Sequence, residues 1–350
     1  MLKKAAALFL VGASLATWLG CTTNSSIYLY AAIPASNQIV IYREDPNSGR
    51  LTVLVGSPIT AGPGVESIVI HPSKKFLYAA NQNENDVSRF TISSDGGLTE
   101  VTPRTIVGTS PNLLAMDAAG SFLYVSNSGS NTISVFSIDA SGTLTPVGAA
   151  FPIGSNALNM KLSPSGDVLY VTIAGAPGFV EAFSNPSSGN PIATSVTAGT
   201  SPYGLAIDPS GTHLYTANFG DNSISAFTIG ADGSLAAISG FPLGETFTAP
   251  LALFIDSSGK YLYVANQGSS NLAAYGIGAD GGLTLLTTSP FATGAQPSFI
   301  TSDSTGKYLF VGNQSSAAIQ SFSLDGGSGT LTSVASYSVG STPTSIALTP

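Results

Sequence analysis

The sequence carries little charge and few residues of catalytic or metal-binding type. Only 9% of its 350 residues are charged, and it has one cysteine and two histidines. The low charge excludes coiled coils and charged disordered chains, and a single cysteine excludes an intramolecular disulfide. The 11 basic residues face 19 acidic ones, so the basic stripes of a nucleic-acid-binding protein are missing. What is abundant is glycine, with 39 residues, and proline, with 21.

The first residues follow the order of a signal peptide, which would occupy residues 1–20. A positive start, Met1-Leu2-Lys3-Lys4, is followed by an apolar run over 5–19 and then by Gly20-Cys21. The apolar run is shorter than the ~20 residues that a membrane-spanning helix needs. The junction resembles the lipobox of bacterial lipoproteins, except that Trp18 stands where those motifs usually carry leucine. An ordinary signal peptide with an incidental cysteine is the alternative.

From this order we expect a lipidated Cys21 on a tether of residues 21–26. The protein would then be exported, as a periplasmic or cell-surface lipoprotein of a bacterial envelope. Membrane contact would be through the lipid anchor only.

One sequence unit recurs along the rest of the chain. It consists of an apolar strand, a Pro/Ser/Gly turn, a Leu-Tyr-Val-x-Asn strand, a polar turn, a further strand and a Gly-x-Leu-Thr segment. The Leu-Tyr or Leu-Phe pair recurs at spacings of 45 to 48 residues. The seven copies begin at Leu29, Leu77, Leu123, Leu169, Leu214, Leu262 and Leu309. A repeat of this length and regularity is typical of a stacked or circular architecture.

Each unit contains four short strands, separated by turns of Gly, Asn and Asp that favour hairpins. The fifth unit predicts strands over 203–208, 213–218, 223–229 and 235–239. Seven such units predict an all-β fold, a seven-bladed β-propeller with four antiparallel strands per blade, spanning residues 27–350. The first unit lacks its inner strand, and the chain finishes with one over 343–348. The C-terminal strand is therefore expected to complete the N-terminal blade and close the ring.

Residues that interrupt the repeat are candidates for function, because shared residues build the blades. Glu66 stands at the start of an inner strand, at a position where the other six blades carry uncharged residues. Lys161 and Glu181 occupy positions that are uncharged in the other blades. A lysine on an inner strand needs water or a partner, so we expect Lys161 to line the central channel and to pair with Glu181 or Glu66. A solvated channel lining or a purely structural ion pair is the alternative.

The two histidines lie away from this end of the propeller. His71 and His213 fall at or beside the turns on the opposite, bottom face, so a Ser-His-Asp triad is not expected. No cysteine and histidine cluster offers a zinc site, and no phosphate-binding loop opens a helix. We expect no cofactor and no bound metal.

The repeat unit, such as Asp208-Pro209-Ser210-Gly211 followed by Leu214-Tyr215-Thr216-Ala217-Asn218, resembles that of the seven-bladed β-propeller lactonases. That family is similar to 6-phosphogluconolactonase and overlaps the YVTN-repeat surface propellers. The resemblance covers about residues 27–350 and implies a lactonase activity on a sugar lactone. It also implies catalytic residues at the starts of inner strands and in the top loops.

At the matching positions this sequence lacks the family's acids, bases and cations. The His-Pro-His, Pro-Arg-His, Asn-Glu and Asn-Arg-Gly motifs of the family fall on Ser110-Pro111-Asn112, Pro202-Tyr203-Gly204, Asn218-Phe219 and Asn266-Gln267-Gly268. Lactone hydrolysis needs such groups to move protons and stabilise charge. The sequence therefore favours a module that binds a neutral glycan, a peptide or an envelope protein. A lactone hydrolase with a divergent site, built on Glu66, Lys161 and Glu181, is the alternative.

The top face of the predicted propeller offers uncharged polar and aromatic side chains for such binding. These suit hydrogen bonding and stacking to a neutral ligand. The predicted ligand-binding residues are Asn112, Asn159, Tyr203, Phe219 and Gln267.

Overall fold

The computed structural model describes residues 26–244 and 246–349 and is almost entirely β-structure. The expected signal peptide and Cys21 lie outside the described residues. The strands form seven antiparallel sheets arranged in a ring, so the predicted seven-bladed propeller is confirmed. Two short 3-10 helices, at Pro34–Ser36 and Pro186–Ser188, interrupt the β-structure where the sequence predicted no helix.

The blades follow one another along the chain. Blade 1 contains β1 (Ile27–Ile33), β2 (Gln38–Asp45), β3 (Arg50–Val53) and β4 (Ile59–Thr60). Blade 2 contains β5 (Val65–Ile70), β6 (Phe76–Asn81), β7 (Asp86–Ile92) and β8 (Leu98–Ile106). Blade 3 contains β9 (Pro111–Met116), β10 (Phe122–Asn127), β11 (Thr132–Ile138), β12 (Leu144–Pro146) and β13 (Phe151–Pro152). Blade 4 contains β14 (Ala157–Leu162), β15 (Val168–Ile173), β16 (Phe179–Ser184) and β17 (Ile192–Thr197).

The remaining blades repeat the pattern. Blade 5 contains β18 (Pro202–Ile207), β19 (His213–Asn218), β20 (Ser223–Ile229), β21 (Leu235–Ala237) and β22 (Leu243–Gly244). Blade 6 contains β23 (Pro250–Ile255), β24 (Tyr261–Asn266), β25 (Asn271–Ile277), β26 (Leu283–Leu285) and β27 (Phe291–Ala292). Blade 7 contains β28 (Pro297–Ser302), β29 (Tyr308–Asn313), β30 (Ala318–Leu324) and β31 (Leu331–Ser338), and β32 (Ser345–Leu348) returns to blade 1. The strands predicted for the fifth unit agree with blade 5 to within two residues.

The ring closes where the sequence predicts. β32 pairs antiparallel with β1, with Leu29 opposite Leu348 and Ala32 opposite Ser345. The backbone continues the pairing beyond the strand, because Thr349 N donates to Tyr28 O at 2.9 Å. The last strand of the chain is therefore the innermost strand of the first blade.

The tyrosine of the repeated Leu-Tyr pair joins neighbouring blades. Tyr30 is fully buried, and its hydroxyl donates to the carbonyl of Gly96 in the next blade at 2.9 Å. Tyr78 does the same to Gly142 at 2.7 Å. Equivalent bonds run from Tyr170 to Gly233, Tyr215 to Gly281 and Tyr263 to Gly329. The phenol fills the space between two sheets with apolar surface and still satisfies its hydroxyl, so the repeat keeps tyrosine here.

We call the end of the ring where the inner strands begin the top, and the end where they turn into the second strands the bottom. β1 is a second strand, so the described chain enters the propeller at the bottom. Within residues 26–244 and 246–349, no helix has the length and apolar character needed to cross a membrane.

Candidate functional site

A cavity of about 670 Å³ occupies the centre of the ring. All seven inner strands contribute to its wall, from β5 in blade 2 round to β32 in blade 1. The first shared wall position is at the top, at the start of each inner strand. It is occupied by Glu66, Asn112, Leu158, Tyr203, Leu251, Ser298 and Thr344. The alignment of these residues in the sequence is therefore confirmed by their common place in the wall.

In six of the blades, a β-bulge determines where the side chain at this position points. In blade 2 the pairing register shifts between Val65 and Ser67, so Glu66 has no partner on β6. The same shift leaves Asn112 and Tyr203 outside the ladder. A bulge residue is released from strand pairing and its side chain is re-aimed. Each of these six blades thus presents to the cavity one side chain whose residue has no partner in the ladder, whereas in blade 1 Thr344 N donates to Ala32 O at 3.2 Å.

Three of the five predicted ligand-binding residues line the cavity, and each of the other two contacts a residue that does. Asn112, Asn159 and Tyr203 line the cavity. The ring of Phe219 meets that of Tyr203 edge to face, with centroids 5.4 Å apart. Gln267 donates through its side-chain amide to Oε1 of a cavity-lining glutamine, Gln314, at 3.0 Å.

Two glutamines of the wall were not predicted from the sequence. Gln82 and Gln314 line the cavity, and each directly follows the asparagine that ends a Leu-Tyr-Val-x-Asn strand. Phe219 and Gln267 occupy the same position in blades 5 and 6. Comparing this position across all blades would have identified both glutamines, because it places one side chain per blade beside the mouth.

Glu66 and Lys161 line the same cavity, but they do not form an ion pair. Among the described residues no carboxylate lies within 4.0 Å of the Lys161 ammonium. The predicted pairing of Lys161 with Glu181 or Glu66 is therefore wrong. The reason is geometric: Glu66 sits on the bulge at the top of β5, whereas Lys161 lies near the bottom of β14 in a blade two places along.

Both charged groups of the cavity are shifted toward their neutral forms. Burial raises the pKa of the Glu66 carboxyl above its usual range. Lys161 is exposed on the cavity wall, yet the protein around it lowers the pKa of its ammonium by desolvation. Loss of bulk water disfavours the charged form of either group. The cavity therefore holds one acid and one base whose environments favour proton uptake by the first and proton loss by the second.

Glu181 is held elsewhere, in a structural role. Its carboxylate accepts the backbone N–H of Gly154 at 3.1 Å, in the segment that leads to the inner strand. The corresponding residues Ser225 and Gln320 accept the N–H of Gly199 and Gly294 in the same way. Glu181 is not part of the cavity wall. It satisfies a loop N–H that serine or glutamine satisfies in other blades.

The histidines lie at the bottom, as the sequence predicts. His71 Nε2 is 2.9 Å from Gly120 O in a bottom turn, and His213 Nδ1 is 3.3 Å from an Asp208 oxygen. Neither lines the cavity. Within the described part of the chain, no group of three or more His, Cys, Asp and Glu side chains is arranged to hold a metal ion.

A family model described as a lactonase with a seven-bladed β-propeller matches residues 57–158, 154–243 and 242–348. The chain belongs to this lactonase family. No protein with a curated description gives a significant sequence match.

Three solved structures of the same fold belong to proteins with different functional descriptions. A proposed 6-phosphogluconolactonase of Bacteroides uniformis is 21% identical, with a TM-score of 0.79 over 93% of this chain and 99% of that one. The periplasmic gluconolactonase of Pseudomonas aeruginosa is 18% identical, with a TM-score of 0.74 over 92% and 98%. A protein of unknown function from Desulfotomaculum acetoxidans is 16% identical, with a TM-score of 0.73 over 92% and 98%. At these sequence identities, the comparison shows a shared fold and nothing further.

Proposed function

We propose that this member of the lactonase family binds a neutral, polyhydroxylated ligand such as a glycan at the mouth of the central cavity. The observation that carries the proposal is the composition of the mouth. Its polar side chains are mostly uncharged: the amides of Gln82, Asn112, Asn159 and Gln314 share the wall with serine and threonine hydroxyls and with the ring of Tyr203.

Amide and aromatic groups suit a sugar for separate reasons. Each amide both donates and accepts hydrogen bonds, which matches hydroxyl groups without requiring a charge. An aromatic face packs against the apolar C–H surface of a sugar ring, and Tyr203 is 37% exposed and so available for such contact. The cavity volume lies in the ~300–1,000 Å³ range of small-molecule sites. A peptide or an envelope protein would have to enter through the same mouth.

Replacing Tyr203 with alanine tests this proposal. The Tyr203→Ala variant should weaken binding of neutral sugars by about tenfold, because the stacking surface is lost. Saturation-transfer NMR with glucose, N-acetylglucosamine and gluconolactone measures the effect. Leu285→Ala is the control, since Leu285 is a similarly exposed apolar residue on β26, outside the cavity wall. Absence of saturation transfer from the wild-type protein to every sugar, or equal transfer in wild type and Tyr203→Ala, would contradict the proposal.

Hydrolysis of a lactone at a divergent site is the second candidate. It is favoured by the family and by the presence of Glu66 and Lys161 in one cavity, with their pKa values shifted in opposite directions. An acid and a base shifted in these directions are candidates for giving a proton to a substrate and taking one from it. The same preparations therefore serve for a lactone panel that includes 6-phosphogluconolactone. Rates above spontaneous hydrolysis, abolished by Glu66→Gln or Lys161→Met, would replace the binding proposal with this one.

We also propose that the propeller is tethered to a bacterial envelope through Cys21. The order of residues 1–21 supports this, and a relative of the same fold is described as periplasmic. Mass spectrometry of the protein from membranes of a bacterial host should show a chain that begins at Cys21 and carries a diacylglycerol with added acyl chains. Cys21→Ser should release it from the membrane fraction. A mature chain that begins after residue 21, or an unmodified Cys21, would contradict the tether.

A further inference from the structure

Lys161 stands in a ring of side chains that offers its ammonium almost no polar partner. The same position in every blade pairs with the aromatic residue of the repeated Leu-Tyr or Leu-Phe pair, so the seven positions share one height. The other six residues at this height are Val69, Ala115, Ala206, Phe254, Thr301 and Ala347. Only Thr301 has a polar side chain among them. We propose that Lys161 is a nucleophilic amine that forms an imine with the aldehyde of a ligand bound at the mouth, such as the open-chain form of a reducing sugar.

The strands beside Lys161 supply no carboxylate to hold its proton. β14 packs between β9 and β18, which carry Ala115 and Ala206 at the height of Lys161. The acids that follow these two strands, Asp117 and Asp208, accept backbone N–H groups of their own turns at 2.6 and 2.7 Å. In the described part of the chain, the Lys161 ammonium has no ion pair and no hydrogen bond.

This environment favours the free amine, which is the nucleophilic form. An apolar ring without a compensating anion disfavours the charge, and desolvation accordingly lowers the pKa of the Lys161 ammonium. Glu66 is the other charged group of the cavity wall, but it lies at the mouth two blades away. Lysines desolvated in pockets of this kind form Schiff bases with carbonyl substrates.

The residues of the mouth favour one class of carbonyl compound. Its amides and Tyr203 suit a ligand with several hydroxyl groups, and in this respect the inference rests on the proposed function. Lys161 is exposed on the wall of the same cavity of about 670 Å³, three residues below the bulge position of its strand. A reducing sugar carries hydroxyl groups together with an aldehyde in its open-chain form. One such molecule can therefore place hydroxyl groups at the mouth and its aldehyde at Lys161.

The reaction needs no component besides the amine and the aldehyde. The Nζ lone pair forms a C–N bond to the carbonyl carbon, and one amine proton moves to the carbonyl oxygen to give a carbinolamine. The new hydroxyl group then leaves with the remaining N–H proton as water, and the C=N bond of the imine forms. The step is reversible, so a bound sugar is held covalently and can be released by hydrolysis.

Reductive trapping with glycolaldehyde tests the amine without relying on the mouth. The aldehyde is added to the full chain with cyanoborohydride at about pH 7. Hydride transfer to the imine carbon and a proton from water then give a stable hydroxyethyl-lysine. Peptide mass spectrometry compares Lys161 with the four exposed lysines of the bottom face: Lys74, Lys75, Lys260 and Lys307. Lys161 should react at least about tenfold faster, because more of it is free amine than in an ordinary lysine at this pH.

The folded cavity must be the cause of the excess. In denaturing urea all five lysines should react at similar rates, since the unfolded chain has no apolar ring around Lys161. A Lys161 rate equal to or below that of the exposed lysines in the folded protein would overturn the proposal, as would an excess that persists in urea.

Glucose in place of glycolaldehyde separates this inference from the proposed function. Trapping of glucose on Lys161 should fall about tenfold in Tyr203→Ala and not in Leu285→Ala, whereas trapping of glycolaldehyde, which is too small to need the tyrosine ring, should not change. Selective trapping of both aldehydes with no effect of Tyr203→Ala would contradict sugar binding at the mouth and still support the nucleophilic amine. Glucose adducts on the exposed lysines but not on Lys161 would refute the imine.

Discussion

Deleting residues 342–350 will lower the free energy of unfolding by more than about 5 kcal/mol. The deletion removes β32, and with it the ladder to β1 and the buried side chain of Ile346, which is 3% exposed. Leu29 and Ala31, now fully buried, would lie on an open edge between blades 7 and 2. Lost core contacts and unpaired buried backbone groups each cost free energy, and they add here. Chemical denaturation followed by circular dichroism measures the loss.

A milder variant keeps the closure testable if the truncated chain does not fold. Ile346→Ala should cost about 2–4 kcal/mol, within the range for a large buried aliphatic residue replaced by alanine. Leu285→Ala, on the outer strand β26 and 41% exposed, should cost less than about 1 kcal/mol. A truncated chain with the stability of the parent would mean that blade 1 does not need β32.

Raising the pH from about 4.5 to about 9 will destabilise the propeller through Glu44. This side chain is 2% exposed, and neither of its carboxyl oxygens has a hydrogen-bond partner. Burial, with the nearby charges of Asp303 and Asp45, raises its pKa to about 8 from a usual value of 4.5. The folded state therefore holds a proton that the unfolded chain releases. The stability contributed by this proton is complete below pH 4.5 and is lost as the pH rises through 8.

The loss should be about 4–5 kcal/mol, because the pKa rises from 4.5 to about 8 and each unit of pKa difference corresponds to about 1.4 kcal/mol. Glu44→Gln keeps the shape of the side chain without the titration, so this variant should lack the part of the pH-dependent loss that Glu44 causes. Asp232→Asn is the control, since a hydrogen bond from Ser234 lowers the pKa of that exposed carboxyl. Urea denaturation at intervals of pH measures all three proteins. Equal pH profiles for wild type and Glu44→Gln would show that Glu44 titrates normally.

The sequence predicted the fold well because the fold is built from a repeated pattern. Seven copies of one unit fix the number of blades, and the missing inner strand of the first unit predicts the pairing of β32 with β1. The alignment also placed Glu66, Asn112 and Tyr203 in one ring of positions, since equivalent residues in a propeller lie at equivalent heights. Each of these predictions depends on position in the repeat, which is a property of the backbone.

The predictions that were wrong or missing concern the neighbours of particular side chains. The repeat shows that Glu181 replaces serine, but not that Glu181 and Ser225 both accept a glycine N–H from the preceding segment. It likewise places Lys161 on an inner strand without giving its distance from any carboxylate. Glu44 was not singled out, because its environment is created by Asp303 from the far end of the chain, brought close only by ring closure. Contacts between blades depend on the closed ring and cannot be read from one unit.

The bulge at the start of six of the inner strands separates binding from stability. Its side chain lies outside the pairing ladder, and in most blades outside the fully buried core as well, so substitution there need not disturb the blade behind it. With the equivalent position in blade 1, seven positions face one cavity, and each is encoded in a different repeat. A change in one repeat therefore alters a single part of the binding surface and leaves the other six as they were. This arrangement lets a lineage explore new ligands by independent single steps on an unchanged fold.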